Sequence, residues 1–201
     1  VNGNVDLGTG TITVESQDNG SNAALNISGN VTSGTITLTE TAGSIVFTLD
    51  GTTAQTVTGN VAGTGSVVVQ NAAGATFNGT VAGSDITVEN SAALNSSATF
   101  KNTVNVGANA ITLGGVGTGA NTITFDGTDQ GFTVTGALTG AAAGETNTVN
   151  VIGGKTIVLA TATAANTNID AINVTGTGTV LDSNAAITAG TITIGTGAKL
   201  D

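Results

Sequence analysis

The acidic side chains are the groups in this sequence with a capacity for chemistry, and the closest two are Asp126 and Asp129, in Phe125-Asp126-Gly127-Thr128-Asp129-Gln130. Two carboxylates flanking a glycine turn can offer oxygens to calcium alongside neighbouring carbonyls, so this turn is the candidate metal site. It lacks the dense carboxylates of an EF-hand loop and the Gly-Gly-x-Gly-x-Asp nonapeptide of calcium-loaded β-rolls, and a solvated turn that holds two acids accounts for the same residues. Asp18-Asn19-Gly20 and Asp182-Ser183-Asn184 are weaker versions of the same pattern.

Other chemistries are removed by what is missing. There is no His, Cys, Met, Pro, Arg, Trp or Tyr in 201 residues. Zinc, haem and iron–sulfur sites, a Ser-His-Asp triad and a cysteine nucleophile therefore have no ligands or bases to use. Opposed carboxylates suffice for glycoside hydrolysis. Sugar clefts, however, stack their ligands on Trp or Tyr and hold uronates with Arg or Lys, and here Lys occurs only at 101, 155 and 199. The reading is of a chain with no catalytic and no cofactor-binding residues, calcium being the one candidate cofactor. With three Lys against thirteen Asp and Glu, a net charge of −10 leaves no cationic stripe for nucleic acid. No apolar run approaches the length of a membrane-spanning helix.

Threonine forms the most suggestive array. Thr-x-Thr pairs stand at 11/13, 35/37/39, 56/58, 122/124, 133/135, 161/163, 177/179 and 191/193. On a strand both members of a pair face one side, so pairs brought into register would build a flat ladder of hydroxyls and methyls, the surface that ice-binding solenoids present. Threonine is also a strong β-former whose hydroxyl keeps a sheet hydrated without charge, and irregular spacing between copies works against a lattice. Six Asn-x-Ser/Thr sequons, at Asn19, Asn26, Asn30, Asn78, Asn95 and Asn173, occur in a chain so rich in these residues that chance supplies several.

The elements that must carry these residues are short strands. Alternation marks Thr11–Glu15, Thr35–Thr39, Ser44–Leu49, Ser66–Gln70, Asp85–Glu89, Thr103–Val106, Thr122–Phe125, Thr148–Val151, Thr156–Leu159 and Thr191–Ile194, among others, with no helical period. Gly and Asn punctuate the corners at Asp50-Gly51, Asn78-Gly79, Gly114-Gly115 and Gly153-Gly154. A phrase like Gly-Thr-Gly-Thr-Ile-Thr-Val, at residues 8 to 14, returns at about 20 to 25 residues. A degenerate repeat of two or three strands without a helix is what one coil of a parallel β-solenoid needs, because each coil buries its inward residues only by stacking on its neighbours. One or two antiparallel β-sandwiches are the alternative, since short strands with frequent turns describe those too. Repetition of one phrase and the lack of Trp, Tyr and Pro favour the solenoid, read as a single repetitive domain over residues 1–201. The chain starts at Val1 with no basic or apolar leader, which reads as part of a longer precursor.

Gly51-Thr52-Thr53-Ala54-Gln55-Thr56-Val57-Thr58-Gly59-Asn60-Val61 and Gly63-Thr64-Gly65-Ser66-Val67-Val68-Val69-Gln70-Asn71-Ala72 resemble the repeat register of bacterial autotransporter passenger domains and of repetitive S-layer proteins. The likeness is one of style, spans nearly the whole chain and brings no functional residues. It implies an exported bacterial protein at the cell surface or outside the cell, structural rather than enzymatic. Such a protein acts as an S-layer, filament or stalk, or as an adhesin for a surface receptor or glycan. The C-terminal barrel of a full autotransporter is not in this sequence. Uncharged strands near both ends, at Val1–Val5 and Thr191–Ile194, lead to an expectation of homo-oligomers or polymers formed through ends and flanks, without nucleic acid or membrane insertion.

Overall fold

In a computed structural model of the chain, which describes residues 1–17, 20–83, 85–89, 95–115, 118–141, 144–160, 168–184 and 186–201, the described residues form strands and turns with no helix. Every strand pair is parallel. Parallel pairing between successive repeats is the geometry of a β-solenoid, and it excludes the antiparallel sandwich.

The strands line three faces. The first is a nine-stranded sheet of β1 (Val5–Asp6), β4 (Val31–Thr32), β7 (Gln55–Val57), β10 (Ala75–Phe77), β13 (Ser96–Phe100), β15 (Ala120–Asp126), β17 (Thr146–Ile152), β19 (Ala171–Val174) and β21 (Thr191–Ile194). The second carries β2 (Thr11–Glu15), β5 (Thr35–Thr39), β8 (Asn60–Gly63), β11 (Val81–Ala82), the starts of β14 (Val104–Leu113) and β16 (Phe132–Gly140), then β18 (Thr156–Leu159), β20 (Val180–Ser183) and β22 (Lys199–Leu200). The third holds β3 (Ala23–Ile27), β6 (Ile45–Leu49), β9 (Ser66–Val69), β12 (Ile86–Val88) and the ends of β14 and β16. Because β14 and β16 run through the corner, the second and third faces join as one thirteen-stranded sheet.

Period-2 alternation puts one side of each strand into the lumen. On the first face Val5, Val31, Val57, Phe77, Phe100, Phe125, Val151, Val174 and Ile194 form one inward column. Its members are separated by 20 to 26 residues in sequence yet directly stacked in space. The rings follow the register: Phe77 and Phe100 stack with centroids 5.1 Å apart, Phe100 and Phe125 tilt at 6.1 Å, and Phe132 meets Phe125 edge-on at 6.4 Å. Each such pair adds about 0.5–1.5 kcal/mol to the burial of its area. The second and third faces supply Ile36, Val61, Val81, Val104 and Val134, and Phe47, Val67, Ile86, Ile111 and Leu138, to the same continuous core.

Coils of unequal length keep register because the surplus residues are placed at corners and bulges. Between Asn105 and Ala110 the pairing of β14 with β16 shifts, so that Val106–Asn109 bulge opposite Gly136. Gly136 has φ +137°, and a Cβ there would lie 2.2 Å from Val106 Cγ2, so only glycine fits beneath the bulge. Gly63 is a second such point, with φ +121° and room for a Cβ only 1.9 Å from the Leu38 carbonyl oxygen.

Candidate functional site

Asp126 ends β15, and the register that pairs Phe100 with Phe125 brings Lys101 alongside it. Lys101 Nζ lies 3.7 Å from Asp126 Oδ2. The other carboxylate oxygen, Oδ1, accepts hydrogen bonds from the Thr128 amide at 2.9 Å and the Thr128 hydroxyl at 2.5 Å, the arrangement of an Asx turn. Asp129 is exposed on the same turn. Asp126 is thus engaged with one cation and one turn of its own backbone. Among the described residues, no three Asp or Glu side chains gather to hold a metal ion. Asp18 and Asn19 lie outside the described residues, and Asp182 stands half-buried on β20.

A second acidic group lies at the corner leading from the third face to the first. Glu145 accepts from the Gly115 amide, at 3.3 and 3.2 Å to its two oxygens, and Glu89 approaches Gly115 from the preceding coil. Gln70 Nε2 donates to Glu89 at 3.4 Å. These carboxylates accept from backbone and amide donors one coil away and serve the stacking of turns.

Buried amides line the same corner. Gln55 is enclosed, and its Nε2 donates to the carbonyls of Ile27 (2.9 Å) and Gly29 (2.7 Å) while its Oε1 accepts from the Gly51 amide (2.9 Å) and from Asn71 Nδ2 (2.8 Å). Ser96, Asn121 and Asn147 stand in register on β13, β15 and β17. Asn121 Nδ2 donates to Asn147 Oδ1 at 3.3 Å, and Asn147 Nδ2 continues to the carbonyls of Ala141 (3.4 Å) and Asn168 (3.3 Å). Asn121 Oδ1 and Ser33 Oγ are buried polar atoms without a partner. Sequence reasoning missed this polar column. The available signal was that Gln55, Ser96, Asn121 and Asn147 each share a strand side with inward Val or Phe residues.

The threonine pairs divide between faces. Thr11/Thr13, Thr35/Thr37/Thr39 and Thr133/Thr135 belong to the second face. On the first face, Thr56, Thr76, Thr99, Thr124, Asn150, Asn173 and Thr193 form one unbroken outward column. Beside it runs a second column of Ser97, Thr122, Thr148, Ala171 and Thr191. Thr179 departs from the outward expectation: it is buried, accepts from the Gly154 amide at 2.8 Å and donates to the Thr175 carbonyl at 2.8 Å, closing a turn. Thr161 and Thr163 lie outside the described residues, as does the sequon residue Asn19. Of the other sequons, Asn30 and Asn95 use their side-chain oxygens to accept the amides of Thr56 and Ala120 one coil on, and Asn173 donates to Asn150. Asn26 and Asn78 are exposed.

Ile192, Ile194 and Leu200 occupy positions in register with buried Ile172, Val174 and Leu181, yet are 39%, 41% and 38% exposed. Comparison with protein-family models, curated proteins and solved structures found no match to this chain.

Proposed function

We propose that this chain is a non-enzymatic structural segment of an exported bacterial surface protein, a stiff β-solenoid that self-assembles as part of an S-layer, filament or stalk. The observation that carries the reading is the stack itself: parallel strands repeat in register around one continuous apolar core, and a solenoid of this kind presents an extended, repetitive outer surface for lateral contact. Low charge and many hydroxyls suit repeated contacts outside a cell, and a chain without Cys stands independently of redox conditions there. An adhesin would instead need a localised patch for its receptor.

Electron microscopy of the purified protein, in calcium and in chelator, tests this. Ordered filaments or sheets support an assembly subunit, and their loss on chelation would assign Asp126 and Asp129 to the contact as calcium ligands. Dispersed single rods under both conditions at high concentration would overturn self-assembly.

A further inference from the structure

The first face carries small, uncharged polar side chains in register across successive coils. Its central outward column runs through seven consecutive strands as Thr56, Thr76, Thr99, Thr124, Asn150, Asn173 and Thr193, and neither it nor the neighbouring column from Ser97 to Thr191 contains a charged residue. Charged residues stand at both margins of the face: Asp6, Lys101 and Asp126 follow the central column by two positions, and Glu145 and the exposed Asp170 precede β17 and β19 by one residue. The uncharged strip between them suits a neutral partner.

The geometry narrows the partner further. Neighbouring strands lie about 4.8 Å apart and alternate residues on a strand about 6.6 Å apart, so the threonines at 56, 76, 99, 122, 124 and 148 form a grid of hydroxyls and methyls, which Asn150, Ala171 and Asn173 interrupt before Thr191 and Thr193. Threonine side chains hold this grid because β-branching restricts χ1, and the inward Phe and Val column beneath fixes the backbone. In a tetrahedral water network, two hydrogen bonds of about 2.75 Å meeting at one oxygen separate its neighbours by about 4.5 Å, within a few tenths of the strand spacing. Each hydroxyl both donates and accepts, as lattice water does. The unequal coil lengths, which on sequence grounds work against a lattice, are taken up at corners and bulges and leave this register intact. We infer that the first face binds the surface of an ice crystal, with Thr99, Thr122, Thr124 and Thr148 at its centre.

Partitioning of the purified chain into slowly growing ice tests the inference. The wild-type protein should be enriched in the ice fraction. Thr99→Lys combined with Thr124→Lys should be excluded to the level of a non-binding control, whereas Thr13→Lys combined with Thr37→Lys, on the second face, should be enriched like wild type. Circular dichroism checks the fold of each, and if the first pair loses its β signal, Thr124→Gln, a neutral and longer side chain on the central rung, takes its place with the same expectation of exclusion. Exclusion of the wild-type protein, or equal partitioning of wild type and first-face variants, would overturn the inference. Binding to microcrystalline cellulose with exclusion from ice would overturn it too, by assigning the grid to a hydroxylated polysaccharide.

Discussion

Gln55 shows how a single polar side chain holds a corner of this solenoid. All four of its amide contacts are made inside the protein, to Ile27, Gly29, Gly51 and Asn71, so none is traded against water. Replacing it by Leu, of similar volume, takes away the partner of the Gly29 carbonyl and of the Gly51 N–H, while the Ile27 carbonyl keeps the Asp50 amide and Asn71 Nδ2 keeps the Thr53 carbonyl; each group left unsatisfied costs about 1–3 kcal/mol. Gln55→Leu should therefore lower stability by about 2 kcal/mol or more, read as a reduced urea midpoint followed by circular dichroism. The residue was legible in part: alternation places Gln55 on the same side as Val57, and the inward side of a strand is where a polar residue needs an explanation. Its partners were not legible, since the carbonyls it satisfies are 26 and 28 residues earlier in the chain.

At the level of elements, stacked strands either complete or interrupt polar ladders. Asn121 and Asn147 make one rung-to-rung bond, but the preceding strand offers Ser96, which donates to the Val69 carbonyl at 2.7 Å and leaves Asn121 Oδ1 unpaired. An Asn at position 96 in the same orientation brings an amide that can donate to both. Ser96→Asn should stabilise the protein by about 1 kcal/mol, the net worth of one added hydrogen bond. In a domain of this size that raises Tm by about 2–4 °C, measured by thermal circular dichroism, and a lowered Tm would show that the corner has no room for the longer side chain. Strands rich in β-branched residues, such as Thr35–Thr39 and Thr156–Leu159, were readable with their observed bounds. Ala23–Ile27, Ala75–Phe77, Val81–Ala82 and Lys199–Leu200 were not, because Ala, Asn and two-residue segments carry little local β signal and become strands only by pairing with the coils beside them.

For the whole molecule, stability rests on one apolar core shared by the coils, each packing on the coil before and the coil after it. Phe100 is buried between Phe77 and Phe125 in that core. Phe100→Ala removes both ring contacts and opens a cavity, and should lower stability by about 3–5 kcal/mol, read as a reduced urea midpoint.

Composition and alternation were enough to determine that the chain is a stack of short strands, which side of most strands turns inward, and that common catalytic and metal chemistries lack their residues. These are local properties, set by side-chain type and the two-residue period. Tertiary structure alone decided which threonines share a face, which amides meet in a ladder, and that Lys101 lies beside Asp126. Each depends on register between residues some 20 to 30 positions apart. The intervening corners vary in length, and the pairing that absorbs the variation, as where Val106–Asn109 bulges over Gly136, is settled by packing across coils and leaves no mark in any one strand.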